Sequence, residues 1–187
     1  MSIFRRENVN FTIEEKSGGE EIIFRFHVLE SGRFVGEFRP KGMLKCALCV
    51  ELLLEAQAEA DLKIFYSARK NFTFRCRTLQ RHCGDRSRSN VEVKCVCADH
   101  SRVDYCGKIE VPESPTGVKV LQKNANLVLS ESACVHTEPA MEIRSKDAEC
   151  FHGAAIGEIE PDILQYFLLR GVKKSLARDL FVAGFLT

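Results

Sequence analysis

Apolar and polar residues alternate with a period of two along most of the chain, from residue 21 to residue 157. The apolar runs are rich in Val, Ile, Phe and Cys, and segments containing Gly, Asn, Ser or Asp separate them. Successive side chains of a β-strand point to opposite faces, so this alternation predicts many short strands. No long amphipathic helix lies between the runs, which argues against a doubly wound α/β fold and favours a sandwich, a barrel or a solenoid of strands.

The connections between the predicted strands are loose. Neither Asn-Gly nor Asp-Gly occurs in the alternating region, and the connectors at residues 17–19 and 112–116 are of other kinds. Tight turns with those two dipeptides are typical of antiparallel hairpins, so their absence favours coiled parallel strands. Residues 46–58 have a Glu and Ala content that would also suit a helix. We predict a strand buried on both faces there.

The period changes at Pro161, which suits the first position of a helix, with Asp162 in the first turn. Arg170 and Gly171 suit the end of this helix, and a second helix is predicted from about residue 174 to residue 183. The apolar positions of the two helices are Ile163, Leu164, Phe167 and Leu168, and then Leu176, Leu180, Phe181, Phe185 and Leu186. Two such helices predict an αα-hairpin that caps the β core or presents a docking surface.

We therefore expect a β core over residues 1–158 and a helical hairpin over residues 159–187. The chain has 187 residues, 45% of them hydrophobic and 28% charged, and this is enough to bury a core. Its 27 Lys and Arg balance 26 Asp and Glu, so no overall charge favours nucleic acid or anionic lipid. The arginines of residues 69–88 are interpreted as a solvated face with acidic neighbours.

No signal sequence or membrane span is predicted, because the N-terminal residues are polar and no uncharged apolar run reaches about 18 residues. The nine cysteines are irregularly spaced, and an odd number does not suit a disulfide framework. We interpret them as free thiols and expect a protein of a reducing compartment, the cytoplasm.

Motifs for catalysis and metal binding are few. Cys46 and Cys49 have a spacing that zinc sites use, but no second pair completes the set, and one residue separates Cys95 from Cys97. We interpret all four as buried thiols. His82 lies in a stretch that resembles a loop. A nucleophile elbow, a phosphate-binding loop and a dinucleotide fingerprint are absent, so we predict that the chain is not an enzyme.

Cys150 and His152 are the residues that most suggest chemistry, in the segment SKDAECFHGAAIG at residues 145–157. In an extended backbone, residues i and i+2 project from the same face, about 7 Å apart. A thiolate beside an imidazole suits a soft or borderline metal. Two ligands do not complete a coordination sphere, so the pair is either half of a site shared with another chain or no site at all.

Residues 136–185 contain, in order, the phrases Pro-x-Met-Glu-Ile, Cys-x-His-Gly-Ala, Tyr-x-x-x-Arg-Gly and Ala-Arg. With residues 81–111 and 121–132, these phrases make the sequence from Phe72 onward resemble the SufB/SufD family, the scaffold proteins of the SUF iron–sulfur cluster assembly machinery. It resembles SufD more closely, because SufB-type chains carry Glu-His-Glu near the position of His152. Family members are usually longer and have an N-terminal helical region, so the sequence resembles a reduced form or a fragment.

This resemblance implies a mainly β protein, a right-handed parallel β-helix (β-solenoid) with a short C-terminal α-helical segment. It implies a SufD-like component that pairs with a SufB-like subunit through the β-helix, or with itself when isolated, and that binds a SufC-like ATPase through its C-terminal helices. No nucleic acid or membrane partner is implied. The residues expected to contact the ATPase are Ile163, Phe167, Leu168, Leu176, Leu180 and Phe181.

The resemblance also implies that a nascent iron–sulfur cluster is held transiently at the SufB–SufD interface. The histidine of the Cys-x-His-Gly phrase, here His152, is the implicated residue, with Cys150 beside it. Cys134 is a further candidate, one position away from the place of a SufB-type cysteine. Two alternatives stay open. In one, the chain is a purely structural platform for the ATPase; in the other, it is a β-solenoid carbohydrate enzyme that uses carboxylates among Glu142, Glu149, Glu158 and Glu160.

Overall fold

The computed structural model of the chain describes residues 2–15, 21–40 and 47–187. Ten strands lie within these ranges and are followed by two helices. The strands are β1 (Ser2–Glu15), β2 (Glu21–Phe38), β3 (Ala47–Leu54), β4 (Glu59–Ala68), β5 (Thr73–His82), β6 (Arg88–Cys97), β7 (Arg102–Val111), β8 (Val118–Val128), β9 (Cys134–Ile143) and β10 (Ala148–Gly157). The helices are α1 (Pro161–Leu168) and α2 (Lys174–Phe185).

The strands from β2 to β10 are all parallel to their neighbours, in the order β10-β8-β6-β4-β2-β3-β5-β7-β9. The long strand β2 takes part twice, because residues 21–28 pair with β3 and residues 33–38 pair with β4. The chain thus alternates between two sheets. The odd sheet consists of the first part of β2 with β3, β5, β7 and β9, and the even sheet consists of its second part with β4, β6, β8 and β10.

One coil takes about 30 residues, since Lys119 of β8 lies beside Glu149 of β10, 30 positions later. The result is a parallel β-solenoid of about five coils with two short C-terminal helices, which confirms the predicted fold class. β1 differs from the other strands, because it runs antiparallel to β2 along both parts of β2. It precedes the alternating region from which the fold was predicted.

The ambiguous segment at residues 46–58 contains strand β3, so the strand prediction is confirmed and the helix is not formed. Cys46 lies outside the described residues. Leu52 and Leu54 are buried in the interior, and Cys49, which lies on the opposite face of β3, is buried as well. Burial of residues on both faces of β3 agrees with the apolar spacing from which the strand was predicted.

Because the coils are in register, the interior side chains stack in rows that run from one coil to the next. One interior row of the odd sheet consists of Phe26, Leu52, Gln80, Ile109 and Met141. One interior row of the even sheet consists of Gly36, Leu62, Val91, Gln122 and His152. Each row begins with apolar residues or glycine in the first coils.

The interior becomes polar toward the C-terminal end of the solenoid. In the first coils the interior is aromatic and aliphatic. The ring centroids of Phe26 and Phe34, for example, lie 4.1 Å apart. In the later coils several polar side chains are buried, namely Gln80, His82, Ser89, Gln122, Asn124 and Asn126. The last coil therefore stacks partly on polar side chains, beside the apolar Val118 and Val120.

Helix α2 packs on the outer face of the even sheet. Val182 contacts Val96 and Leu127, and Nη2 of Arg178 donates a hydrogen bond to the carbonyl oxygen of Leu129 at 2.6 Å. These contacts anchor the helices over the strand ends of β6 and β8. The division into a β core and a hairpin stays a prediction.

The apolar positions predicted for the second helix divide into an exposed set and a set that packs against the sheet. Leu176 and Leu180 are exposed, while Ala177 and Val182 are the buried residues of α2. A helix approaches a sheet most closely through a small side chain, so the alanine faces the strands and the two leucines point away. α1 begins at Pro161 as predicted, and none of its residues is fully buried.

We expect Leu62→Ala to lower the free energy of unfolding by about 2–5 kcal/mol, because Leu62 is 0% exposed and its truncation leaves a cavity between the sheets. Leu169→Ala, at a residue that is 77% exposed, should change it by no more than about 0.5 kcal/mol. Chemical denaturation followed by circular dichroism measures both values. Equal effects of the two substitutions would contradict the interior assignment.

Candidate functional site at the open end

The last coil leaves one end of the solenoid uncovered. β9 pairs with β7 and β10 pairs with β8, and within the described part of the chain neither strand has a partner on its other edge. Their backbone groups and their interior-facing side chains are therefore accessible at this end, which we call the open end. Sheet edges of this kind are templates for pairing with another chain.

Cys150 and His152 both face the solenoid interior at the open end. In the register of β10 with β8, Cys150 lies on Val120 and His152 lies on Gln122. Val120 and Gln122 are buried interior residues, so side chains at the same positions of the next strand point the same way. His152 is nevertheless exposed and Cys150 half-buried, because no further coil covers them.

The Cys150 thiol sits at the edge of a small apolar cluster formed by Ile109, Val111, Val118 and Val120. Burial raises the pKa of this thiol above its usual value. It is therefore protonated at neutral pH, and binding of a metal would have to displace that proton. A thiol with a raised pKa is a weaker nucleophile than an ordinary cysteine at neutral pH, because less of it is thiolate.

Cys134 lies in a different place from the other two candidates. It is the first residue of β9 in the odd sheet, it is exposed, and its neighbour in register is the exposed Arg102, so it faces outward. The structure brings Cys150 and His152 together but does not bring Cys134 to them. Within residues 2–15, 21–40 and 47–187, no group of three or more His, Cys, Asp or Glu side chains could hold a metal ion.

The other cysteines named from sequence are core residues where the structure describes them. Cys49, Cys95 and Cys97 are buried, and burial raises the pKa of Cys95 to about 12. Their interpretation as buried thiols is confirmed, although Cys46 lies outside the described residues. Their place in the packed interior accounts for their presence without a metal.

His82 does not lie in a loop, and that expectation was wrong. It ends strand β5, is fully buried, and its two ring nitrogens lie 2.7 Å from Oγ of Ser87 and 2.8 Å from Oγ of Ser89. Burial lowers the pKa of His82 to about 4. The neutral imidazole is thus a structural element of the polar interior, and the strand continues through it because both of its nitrogens have partners.

Sequence reasoning missed the buried polar residues beneath the open end. Oγ1 of Thr137 donates to Oδ1 of Asn124 at 2.9 Å, and Nε2 of Gln122 donates to Oε1 of Gln80 at 3.1 Å. Each of these residues occupies an interior position where alternation calls for an apolar side chain. A polar residue at an apolar position of the alternation was the available signal. Its hydrogen-bond partners could not be inferred from sequence, because they depend on the register of the coils.

Two of the four carboxylates considered for a carbohydrate enzyme, Glu142 and Glu149, form surface ion pairs. Oε1 of Glu142 lies 2.6 Å from Nη2 of Arg144, and Oε2 lies 3.3 Å from Nζ of Lys108. The two cations together lower the pKa of the Glu142 carboxyl group. Glu149 lies 3.0 Å from Lys119. Each of the two is engaged with cations on the outside of its own sheet, an arrangement that does not favour the enzyme alternative.

None of the described helices has the length and apolar character needed to cross a membrane.

The geometry defines a β-solenoid protein with Cys150 and His152 on the interior face of its last strand, at an uncovered end. The family model described as "SUF system FeS cluster assembly, SufBD core domain" matches residues 47–185, from the first residue of β3 to the last residue of α2. The chain therefore belongs to the SufB/SufD family of iron–sulfur cluster assembly proteins. This confirms the resemblance found in the sequence.

Several proteins of this family are similar to the chain. An iron–sulfur cluster assembly SufBD family protein of Synechocystis is 34% identical over 92 residues, which are 49% of this chain and 20% of that protein. The iron–sulfur cluster assembly protein SufD of Escherichia coli is 29% identical over 92 residues, 49% of this chain and 22% of that protein. A chloroplastic SufBD family protein of Arabidopsis thaliana is 28% identical over 104 residues, which are 56% of this chain and 19% of that protein. The matches thus span about one fifth of the length of these relatives.

We expect the buried His82 to make the protein less stable as the pH falls from 6.5 toward 4. The unfolded chain binds a proton on this imidazole near pH 6.5, whereas the folded chain does not until about pH 4, so protons favour the unfolded state in that window. The loss from this one group is about 3 kcal/mol between pH 7 and pH 4. Denaturation curves against pH should be flatter for His82→Gln, while His100→Gln, at an exposed histidine, should follow the unchanged protein. A parallel shift of both variants would contradict this assignment.

Proposed function

We propose that the chain is a SufD-like component of an iron–sulfur cluster assembly scaffold and that it supplies His152 and Cys150 to a nascent cluster. The observation that carries this proposal is the position of the two side chains, which face the interior of the solenoid at the end where no further coil covers them. A site there is accessible to a second protein yet is walled by two sheets. Membership of a family of iron–sulfur cluster assembly proteins supports a nascent cluster as the group bound there.

The two side chains suit iron in a cluster that has to be passed on. Thiolate and imidazole are both ligands of iron–sulfur clusters. This chain contributes at most two of them at the open end, so the remaining ligands come from a partner or from the cargo itself. A site completed by two proteins can be taken apart by separating them, which allows release of the cluster. Cys134 faces outward on the other sheet and would take part only through a partner that reaches around β9.

A SufB-like subunit is the partner we propose for the open end. The unpaired edges of β9 and β10 can continue into the strands of a second solenoid by backbone hydrogen bonding. Several apolar side chains exposed at this end add surface to bury, namely Met141, Ile143, Phe151 and Ile156. When the partner is missing, a second copy of the chain would use the same edges and form a homodimer.

The C-terminal helices are the proposed docking surface for a SufC-like ATPase. Leu168, Leu176 and Leu180 are exposed, and Ile163 and Phe167 are half-buried. An apolar helical surface of this kind is typical of a protein contact. Phe181 packs against the even sheet instead, so we propose that it supports the surface from beneath.

A purely structural platform is the alternative that the exposed helix residues favour. In that case the open end would hold the two subunits together without binding iron, and both Cys150 and His152 would be dispensable. Either version makes the chain a scaffold and not an enzyme. We propose a reducing compartment, the cytoplasm, because none of the eight cysteines described is in a disulfide.

We expect His152→Ala to reduce cluster formation at least several-fold when the chain is reconstituted anaerobically with a SufB-like partner and its ATPase. The loss of one ligand from an incompletely filled coordination sphere weakens iron binding directly. Near-ultraviolet and visible absorbance, with iron and sulfide analysis, measures the yield. His136→Ala is the matched control, because His136 is an exposed histidine that faces outward on β9. Unchanged yield with His152→Ala would leave only the structural platform.

We expect two single substitutions to separate the two proposed interfaces. Ile156→Asp places a charge at the open end and should abolish co-purification with the SufB-like subunit while sparing the ATPase. Leu180→Asp on α2 should do the reverse. Ile13→Asp is the control, because Ile13 on β1 is 57% exposed and Ile156 is 53% exposed, yet they lie at opposite ends of the solenoid. Loss of both partners with either variant would contradict the assignment of separate surfaces.

A further inference from the structure

The layer directly beneath His152 contains two buried glutamines joined by a hydrogen bond. Gln122 on β8 is 1% exposed and is the neighbour of His152 in register. Gln80 on β5 is 0% exposed. Nε2 of Gln122 donates to Oε1 of Gln80 at 3.1 Å, so this bond links the even and the odd sheet across the interior. Fully buried amides of this kind are held in one orientation by their partners.

The orientation of both amides follows from a backbone carbonyl. Nε2 of Gln80 donates to the carbonyl oxygen of Leu121 at 3.3 Å and to Oγ of Ser89 at 2.7 Å. A carbonyl oxygen only accepts, so this end of the Gln80 amide is the nitrogen. The side-chain oxygen of Gln80 therefore faces Gln122, and the side-chain nitrogen of Gln122 donates the hydrogen bond to it. The side-chain oxygen of Gln122 is then an acceptor that takes no part in this hydrogen bond.

That remaining oxygen, Oε1 of Gln122, is buried and accepts no hydrogen bond from any described residue. A side chain at position 107 would displace it, because a Cβ added to Gly107 would lie 2.6 Å from Oε1 and 2.5 Å from the hydroxyl oxygen of Tyr105. The glycine thus leaves room for the amide carbonyl. The Tyr105 hydroxyl is already engaged with Oγ1 of Thr78 at 2.8 Å. A buried acceptor without a donor is costly, so its retention calls for an explanation.

We propose that Gln122 is a positioning residue for His152, whose imidazole N–H donates to Oε1 of Gln122 when the ring turns toward the interior. Paired residues of adjacent strands are only about 4.8 Å apart, which brings the ring within reach of the amide below it. One ring nitrogen then carries the proton, and the other is a free electron-pair donor directed to the open end. A carbonyl oxygen behind a histidine ligand fixes the ring and its tautomer in many metal sites. The role in iron binding rests on the proposed function, but the hydrogen bond does not.

The test observes imidazole N–H groups directly by NMR in the full chain, labelled with ¹⁵N at histidine. A hydrogen-bonded, enclosed N–H exchanges slowly and gives a signal, so the unchanged protein should show one that disappears in His152→Gln. Gln122→Met, which keeps the volume of the side chain but has no acceptor, should remove the same signal. Gln122→Glu, which keeps an acceptor, should retain it. Tyr105→Phe is the control for the neighbouring hydroxyl and should also retain it.

Two outcomes overturn the proposal. One is the absence of a His152 N–H signal in the unchanged protein, and the other is its persistence in a folded Gln122→Met. If Gln122→Met does not fold, as judged by circular dichroism, magnetisation transfer between the His152 N–H and the side-chain amide protons of Gln122 decides the matter in the unchanged protein. Absence of that transfer also overturns the proposal.

Reconstitution separates this inference from the proposed function. If both hold, Gln122→Met should reduce iron retention by about tenfold or more, as loss of a supporting hydrogen bond does at other metal sites. If His152→Ala leaves cluster yield unchanged while the N–H signal depends on Gln122, the proposed function fails and the positioning role stands. If His152→Ala lowers the yield but no N–H signal exists, the positioning role fails and the proposed function stands.

Discussion

In-register stacking of parallel strands is the constraint on which the rest of the structure depends. Each interior residue rests on the residue one coil earlier, so the chemistry of one coil is set by the coil beneath it. Leu62, Val91, Gln122 and His152 show this along a single row of the even sheet. The stacking also spreads stability along the axis, because each coil contacts chiefly its neighbours.

The change from an apolar to a polar interior gives the two ends of this axis different roles. The ring centroids of Phe26 and Phe34 lie 4.1 Å apart in the first coil, where buried aromatic surface joins the two parts of β2 across the interior. In the later coils, Gln80, Gln122 and His82 replace such contacts by directional hydrogen bonds. Directional bonds fix orientation more strictly than apolar packing does. The side chains with the most strictly fixed orientation therefore include Gln122, directly beneath the open end.

Local features were predictable from sequence, and features that depend on register were not. Cys150 and His152 were expected on one face, because strand alternation requires only neighbouring residues. That they lie at an uncovered end depends on the number of coils. Gln122 comes beneath His152 because the connections on either side of β9 have the lengths that bring β10 into this register with β8. His82 was assigned to a loop because its partners, such as Ser89, become adjacent only when β5 and β6 face each other.

The antiparallel strand β1 makes the two ends of the molecule chemically unlike. Its interior face carries Val9, Phe11 and Ile13, aligned with apolar residues of β2. At the opposite end, His152 lies above the amide of Gln122, whereas Cys150 lies above the apolar Val120. Head-to-tail contact would join the two unlike ends of successive molecules and would build open-ended filaments. Contact between two open ends would give a closed pair instead, so the choice of end decides between a filament and a finite assembly.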